Sequence, residues 1–297
     1  MMRHFLEIDD LNPTELEEVL ELSTMPGVPQ VLAGKGAGLV FEKPSARTRN
    51  SAEMAVVQLG GHPIYIRDEE VGIDKRESAE DVIRVLGRYH ALVAARVFDH
   101  GVLERMAACD AVPVVNLLSD VAHPMQALAD LLTLRDEFGS LEGLTVTYVG
   151  DANNVWRSLA LGCAMTGVVS RIACPADYAP SAEDLDRVRS LGGSIEVFDR
   201  PEAAAEGADA VYTDVWTSMG QEAESAARLR AFEGFQVTPS LLDLMSPRGI
   251  FMHCLPAHRG EEVSHEAVES ERSRVFPQAE NRMHSARGLF AWIVQQA

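Results

Sequence analysis

Short apolar runs alternate along this chain with stretches whose apolar positions recur every three or four residues, the patterns of buried strands and of helices. In the first half, Gly38–Phe41, Pro63–Ile66, Ala91–Val97 and Val112–Leu117 read as strands. A helix from Pro13 to about Met25 is announced by Asn12 as N-cap, the proline at N1 and Glu15 as capping-box acid. Helical periodicity also covers Arg49–Leu59. Ser78, with Asp81 three residues on, caps a helix to about Tyr89, and Pro124 opens another through Leu134. After Gly139 and Gly143 a second series begins. Its strands are Leu144–Val149, Arg171–Cys174, Ser194–Phe198, Asp209–Thr213 and Gly249–His253. Its helices are Val155–Met165, one capped by Ser181 and a last one over about Ala279–Gln296.

Strands spaced by helices of this length imply right-handed crossovers, and therefore parallel sheets with helices on both faces. The expected fold is α/β: two doubly wound parallel-sheet domains joined by interdomain helices. The domains span residues 1–137 and 143–279, and the C-terminal helix 280–297 packs back on the first.

Composition narrows the function classes. At 297 residues, 46% hydrophobic and 24% charged, the chain is globular, with length for about two domains. Its 45 acidic against 26 basic residues give a formal charge of −19, a field that repels phosphate backbones and anionic lipid, so neither nucleic acid nor membrane is expected as a partner. Any cationic cluster must then be local. Met1–Asp10 carries acids and lacks the apolar run of a signal peptide, and no stretch approaches the ~20 apolar residues of a membrane helix. Cys109, Cys163, Cys174 and Cys254 stand apart with no CxxC pair, which fits a reducing cytoplasm and speaks against a zinc knuckle or disulfide framework.

The segment Phe41-Glu42-Lys43-Pro44-Ser45-Ala46-Arg47-Thr48-Arg49 follows a strand and opens a helix. Free backbone N–H groups and the helix dipole favour an anion there. Ser45 and Thr48 add hydroxyls, and Arg47 adds a guanidinium matched to phosphate oxygens. The plainer alternative is a solvated helix start with a capping serine. His123-Pro124-Met125-Gln126 lies at a second helix start beyond a strand, and Arg96 ends the strand before it. In open α/β sheets that rim is where ligands bind.

In the second half, Gly150 stands alone where a dinucleotide site needs G-x-G-x-x-G, which disfavours a nicotinamide dehydrogenase. Asp214-Val215-Trp216-Thr217-Ser218-Met219-Gly220-Gln221-Glu222 follows a strand, and a carboxylate there suits an ammonium group or simply caps a loop. His253-Cys254-Leu255-Pro256 also follows a strand. As sequence neighbours in an extended chain, His253 and Cys254 point to opposite sides, which favours Cys254 as a hydrogen-bonding wall over a covalent nucleophile.

In order and spacing, these segments resemble the transcarbamoylase family. Ser45 to Arg49 is similar to its S-T-R-T-R carbamoyl-phosphate loop, and His123 to Gln126 to its H-P-x-Q signature. Asp214 to Glu222 and His253 to Pro256 resemble the D-x-W-x-S-M-G-Q-E and H-C-L-P segments of the branch that uses ornithine. The resemblance implies transfer of a carbamoyl group from carbamoyl phosphate to the side-chain amine of L-ornithine, giving L-citrulline and phosphate, a step of arginine biosynthesis. It implies that Ser45, Arg47, Thr48 and the Ala46 amide hold the phosphate. Arg96, His123 and Gln126 would hold the carbamoyl group, with Arg282 and the Cys254-Leu255 backbone. Catalytic weight falls on Arg47, Arg96, His123 and Cys254. Asn154, Asp214, Ser218 and Met219 would bind the α-amino and α-carboxyl groups of ornithine.

No metal or organic cofactor is implied. A homotrimer, or a multiple of trimers, is implied, because family members reach the neighbouring subunit's phosphate through a loop after the second strand. That loop, residues 68–78, lacks the family's glutamine or histidine and offers Lys75 or Arg76 instead. Ala46 replaces the family's usual threonine. The rival readings are a sister transcarbamoylase acting on aspartate or a modified ornithine, and a two-lobed amino-acid-binding protein without catalysis.

Overall fold

The computed structural model describes residues 2–217 and 224–296. Its contacts divide the chain into two compact units, Met1–Leu132 with Glu280–Ala297, and Thr133–Ala279. The helices Pro124–Phe138 and Val275–Gln295 each pass from one unit to the other.

The first unit is built on a parallel sheet of β1 (Gly36–Phe41), β2 (His62–Arg67), β3 (His90–Arg96) and β4 (Val114–Leu118), in the order β2-β1-β3-β4. β1 and β3 are buried along nearly their whole length, which is why they read as unbroken apolar runs. Phe41 pairs with Arg67 on one side and Arg96 on the other, so the carboxyl ends of these strands form one rim. The chain leaves β1 toward β2 and returns on the other side as β3. The loops after β1 and β3 therefore diverge, and the crevice they leave is where open sheets bind ligands.

The second unit has β5 (Thr145–Val149), β6 (Val169–Ala173), β7 (Ile195–Phe198), β8 (Ala210–Thr213) and β9 (Ile250–His253), all parallel, in the order β7-β6-β5-β8-β9. Its reversal falls between β5 and β8. The two parallel sheets bear out the expected α/β fold. The short helices Asp68–Val71, His100–Ala108, Pro201–Ala205, Ser225–Ala231, Pro239–Leu242 and His265–Val268 go beyond the pattern read from sequence.

Asn12 caps the helix Pro13–Thr24 through Thr14 N and Glu15 N, with Glu15 returning the capping box. The C-terminal helix packs on this one within the first unit. Trp292 Nε1 donates to Glu18 at 2.9 Å, and Arg287 donates to the Ser23 carbonyl and to Gln58. Gly288 permits the approach, since a Cβ there would stand 2.6 Å from the Val19 carbonyl oxygen. The same helix begins at Val275, not at Ala279 as its sequence suggests. Pro277 falls in the first turn, where a missing N–H costs no helical bond. Arg282 consequently sits inside the helix, not at its start.

Candidate active site

In the first unit, the helix Ala46–Gln58 starts directly beyond β1. Ser45 is its N-cap, with Oγ accepting from Thr48 N at 3.4 Å and donating to Thr48 Oγ1 at 3.1 Å. The serine therefore caps, while Ala46 and Arg47 remain exposed on the first turn. Arg49 points elsewhere, paired with Glu53 at 2.8 Å and lying over the Tyr65 ring. Thr48 is buried, and its hydroxyl accepts from Arg282 Nη2 at 2.8 Å.

Arg96 closes β3, and its carbonyl accepts from Glu42 N at 2.9 Å, which ties the loop after β1 to the end of β3. Arg96 is only 5% exposed, and its buried Nε finds no hydrogen-bond partner among the described residues. Burial, then the charges of Arg282 and Arg47, pull its pKa down to about 10. His123 precedes the helix Pro124–Phe138 and is buried. Burial, then Arg282 and Arg96, hold its imidazole well below the ordinary histidine range, so it is neutral at pH 7. Gln126 accepts from Arg282 Nη1 at 3.0 Å and donates to Asp130 at 2.8 Å. The first unit thus gathers Ser45, Thr48, Arg96, His123, Gln126 and Arg282, with Arg47 close enough to depress Arg96. Guanidinium groups that repel one another in a buried place are stabilised by an anion, and fixed donors of this kind suit charge developing on a carbonyl oxygen.

In the second unit, β5 and β8 lie side by side at the reversal, so their carboxyl ends are neighbours. Asn153 caps the helix Asn154–Thr166 with Oδ1, accepting from Val155 N and Trp156 N at 3.0 Å. Its Nδ2 donates to Asp214 Oδ2 at 3.2 Å. Asp214 Oδ1 accepts from Val215 N at 2.8 Å and from Cys254 Sγ at 2.9 Å. Asp214 is thus tied to the helix start at Asn153, next to Asn154, and to Cys254. Ser218 and Met219 lie outside the described residues.

His253 is no base for Cys254. Its Nδ1 accepts from Leu255 N at 2.8 Å, which leaves the proton on Nε2, 3.1 Å from Glu262. Asp214, His253 and Cys254 do place donor atoms within 4.8 Å of one another, but both ring nitrogens of His253 are spent on these internal bonds. Leu255 adopts φ 59, a left-handed conformation that sharply turns the chain after Cys254.

In the 68–78 loop, Lys75 pairs with Asp68 at 3.0 Å and Arg76 donates to the Glu70 carbonyl at 3.2 Å, both within the loop itself. Sequence reasoning missed Arg228. It is buried, and bonds Asp151 at 2.7 Å, the Trp216 carbonyl at 3.1 Å and Glu224 at 3.2 Å, under the Tyr178 ring. It lies in a helix too short to show a period. Asn153 was missed as well.

Comparison with known proteins agrees with this arrangement. Residues 3–136 match the family profile described as aspartate/ornithine carbamoyltransferase, carbamoyl-P binding domain. Residues 142–293 match the companion profile, the Asp/Orn binding domain. An ornithine carbamoyltransferase of Thermus thermophilus is 48% identical over 99% of this chain and 97% of its own length. One from Acidothermus cellulolyticus is 46% identical over 100% of this chain and 98% of its own. Among solved structures, the ornithine carbamoyltransferase of Pyrococcus furiosus superposes with a TM-score of 0.94 at 40% identity, covering 99% of this chain and 98% of that one.

Proposed function

This chain belongs to the aspartate/ornithine carbamoyltransferase family, and we propose that it transfers the carbamoyl group of carbamoyl phosphate to the side-chain amine of L-ornithine, giving L-citrulline and phosphate. The observation that carries this reading is the buried cationic cluster of Arg96 and Arg282 beside neutral His123, on the rim that Ser45 to Thr48 also reach. Ser45, Arg47, Thr48 and the Ala46 amide hold the phosphate. Arg96, His123 and Gln126, with Arg282, hold the carbamoyl group; Cys254 and Leu255 are assigned to it on resemblance alone.

The amine attacks the carbamoyl carbon, and charge grows on the carbonyl oxygen. Arg96 and neutral His123 donate to that oxygen as the bond to phosphate breaks. The departing phosphate takes the amine's proton, and the positive surroundings favour the neutral amine that must attack. Positioning of the two small substrates supplies much of the remaining acceleration. Asn154, Asp214, Ser218 and Met219 bind the α-amino and α-carboxyl groups of ornithine. The chain works as a homotrimer or a multiple of trimers, in the cytoplasm. No helix of the described residues is long and apolar enough to cross a membrane.

The test is formation of citrulline and phosphate in equal amounts from carbamoyl phosphate, with L-ornithine, N-acetyl-L-ornithine and L-aspartate as competing amines. The reading expects product with L-ornithine alone. Activity confined to either of the others, or to none, overturns it.

A further inference from the structure

Asp130 takes no part in the contacts assigned above to substrate, yet it is 0% exposed and bonded to Gln126. It lies one helical turn beyond Gln126, the spacing at which two side chains on a helix meet. Its Oδ1 stands 2.8 Å from Gln126 Nε2, while Gln126 Oε1 stands 3.0 Å from Arg282 Nη1. A carboxylate only accepts and a guanidinium only donates. These two neighbours therefore admit one orientation of the Gln126 amide, with nitrogen toward Asp130 and oxygen toward Arg282.

We infer that Asp130 is a positioning residue that fixes which way round the Gln126 amide lies, so that the site offers a carbonyl oxygen to the amino group of a carbamoyl substrate. The inference rests on the carbamoyl-transfer reading. A carbamoyl group presents an oxygen that accepts and an amino group that donates. Arg96 and His123 meet the oxygen. The amino group needs an acceptor among neighbours that mostly donate, and Gln126 Oε1 has a second lone pair for it beside the bond to Arg282. An isosteric amide at position 130 removes the carboxylate's half of the constraint. Its own NH2 can donate to Gln126 Oε1, so the bond to Arg282 alone holds the glutamine, and the turned-over form, with its NH2 facing Arg282 and the substrate amino group, becomes populated.

The experiment compares wild type, Asp130→Asn, Gln126→Glu and the reversed pair Asp130→Asn/Gln126→Glu, which keeps net charge and restores an acceptor toward Arg282. Citrulline formation gives kcat and KM for each substrate, and circular dichroism reports folding. Asp130→Asn should lose at least about tenfold in kcat/KM for carbamoyl phosphate, with KM for ornithine unchanged. The reversed pair should regain most of that loss. Asp130→Asn within threefold of wild type overturns the inference, as does a reversed pair no better than the single variant. Should Asp130→Asn fail to fold, the reversed pair decides: folded and more active than Gln126→Glu upholds the inference, and anything less overturns it. Wild type that makes no citrulline sinks the carbamoyl-transfer reading itself, a result distinct from all of these.

Discussion

Replacing Arg96 with methionine should make the free protein more stable and nearly abolish its activity. The residue is 5% exposed, its Nε lacks a partner among the described residues, and Arg282 and Arg47 repel its guanidinium. A fall from 12.5 to about 10 corresponds to roughly 3 kcal/mol spent on keeping the group charged in the folded state. At pH 7 it is charged whether folded or unfolded, so that penalty is present in full. Methionine keeps most of the apolar stem and drops the charge, which should return about 1–3 kcal/mol, several degrees in the unfolding midpoint. The same change removes a donor aimed at the developing oxyanion, at a cost of about 10²–10³ in kcat. Calorimetric melting of the unliganded protein and citrulline formation with both substrates saturating measure the two effects. A lowered midpoint would show that Arg96 is structurally satisfied where it lies, and kcat within tenfold of wild type would remove it from the chemistry.

Further consequences follow from the same geometry. His123 is held below its ordinary value and an unfolded histidine protonates near 6.5, so the unfolded state binds more protons and stability falls as pH drops below that point. Between pH 7.5 and 5.5, urea unfolding should therefore show a loss of stability smaller by about 1.4 kcal/mol over the whole interval in His123→Gln; an unchanged loss contradicts the burial argument. Gly288→Ala places a Cβ 2.2 Å from Ser23 Oγ and 2.6 Å from the Val19 carbonyl oxygen, and should cost about 1–3 kcal/mol in thermal unfolding while raising KM for carbamoyl phosphate through Arg282. Neutral stability there would mean the two helices part easily. Cys254→Ser keeps a donor to Asp214 and should hold kcat within tenfold, whereas a nucleophilic thiol would lose orders of magnitude.

The fold was largely legible because most of the parallel strands are apolar runs and several helices open on a recognisable cap, as with Asn12, Ser45 and Ser181. Helices of four to nine residues, such as Pro239–Leu242 and His100–Ala108, escaped because they complete too few turns to show a period. At the site, Ser45, Arg96 and His123 could be placed because each adjoins a strand's carboxyl end. The bond of Cys254 to Asp214, 40 residues away, could not, and neither could that of Arg282 to Thr48, 234 residues away. Such pairs depend on strand order, which local pattern does not specify.

The most direct measurement is isothermal titration of a stable phosphonate analogue of carbamoyl phosphate into wild type and Arg96→Met. Wild type should take up one equivalent per chain, more weakly as salt is raised, and the variant should bind at least tenfold more weakly. Equal binding by both proteins, or none by a wild type that still makes citrulline, would contradict the claim that this highly acidic chain gathers a local set of guanidinium groups to seize an anion.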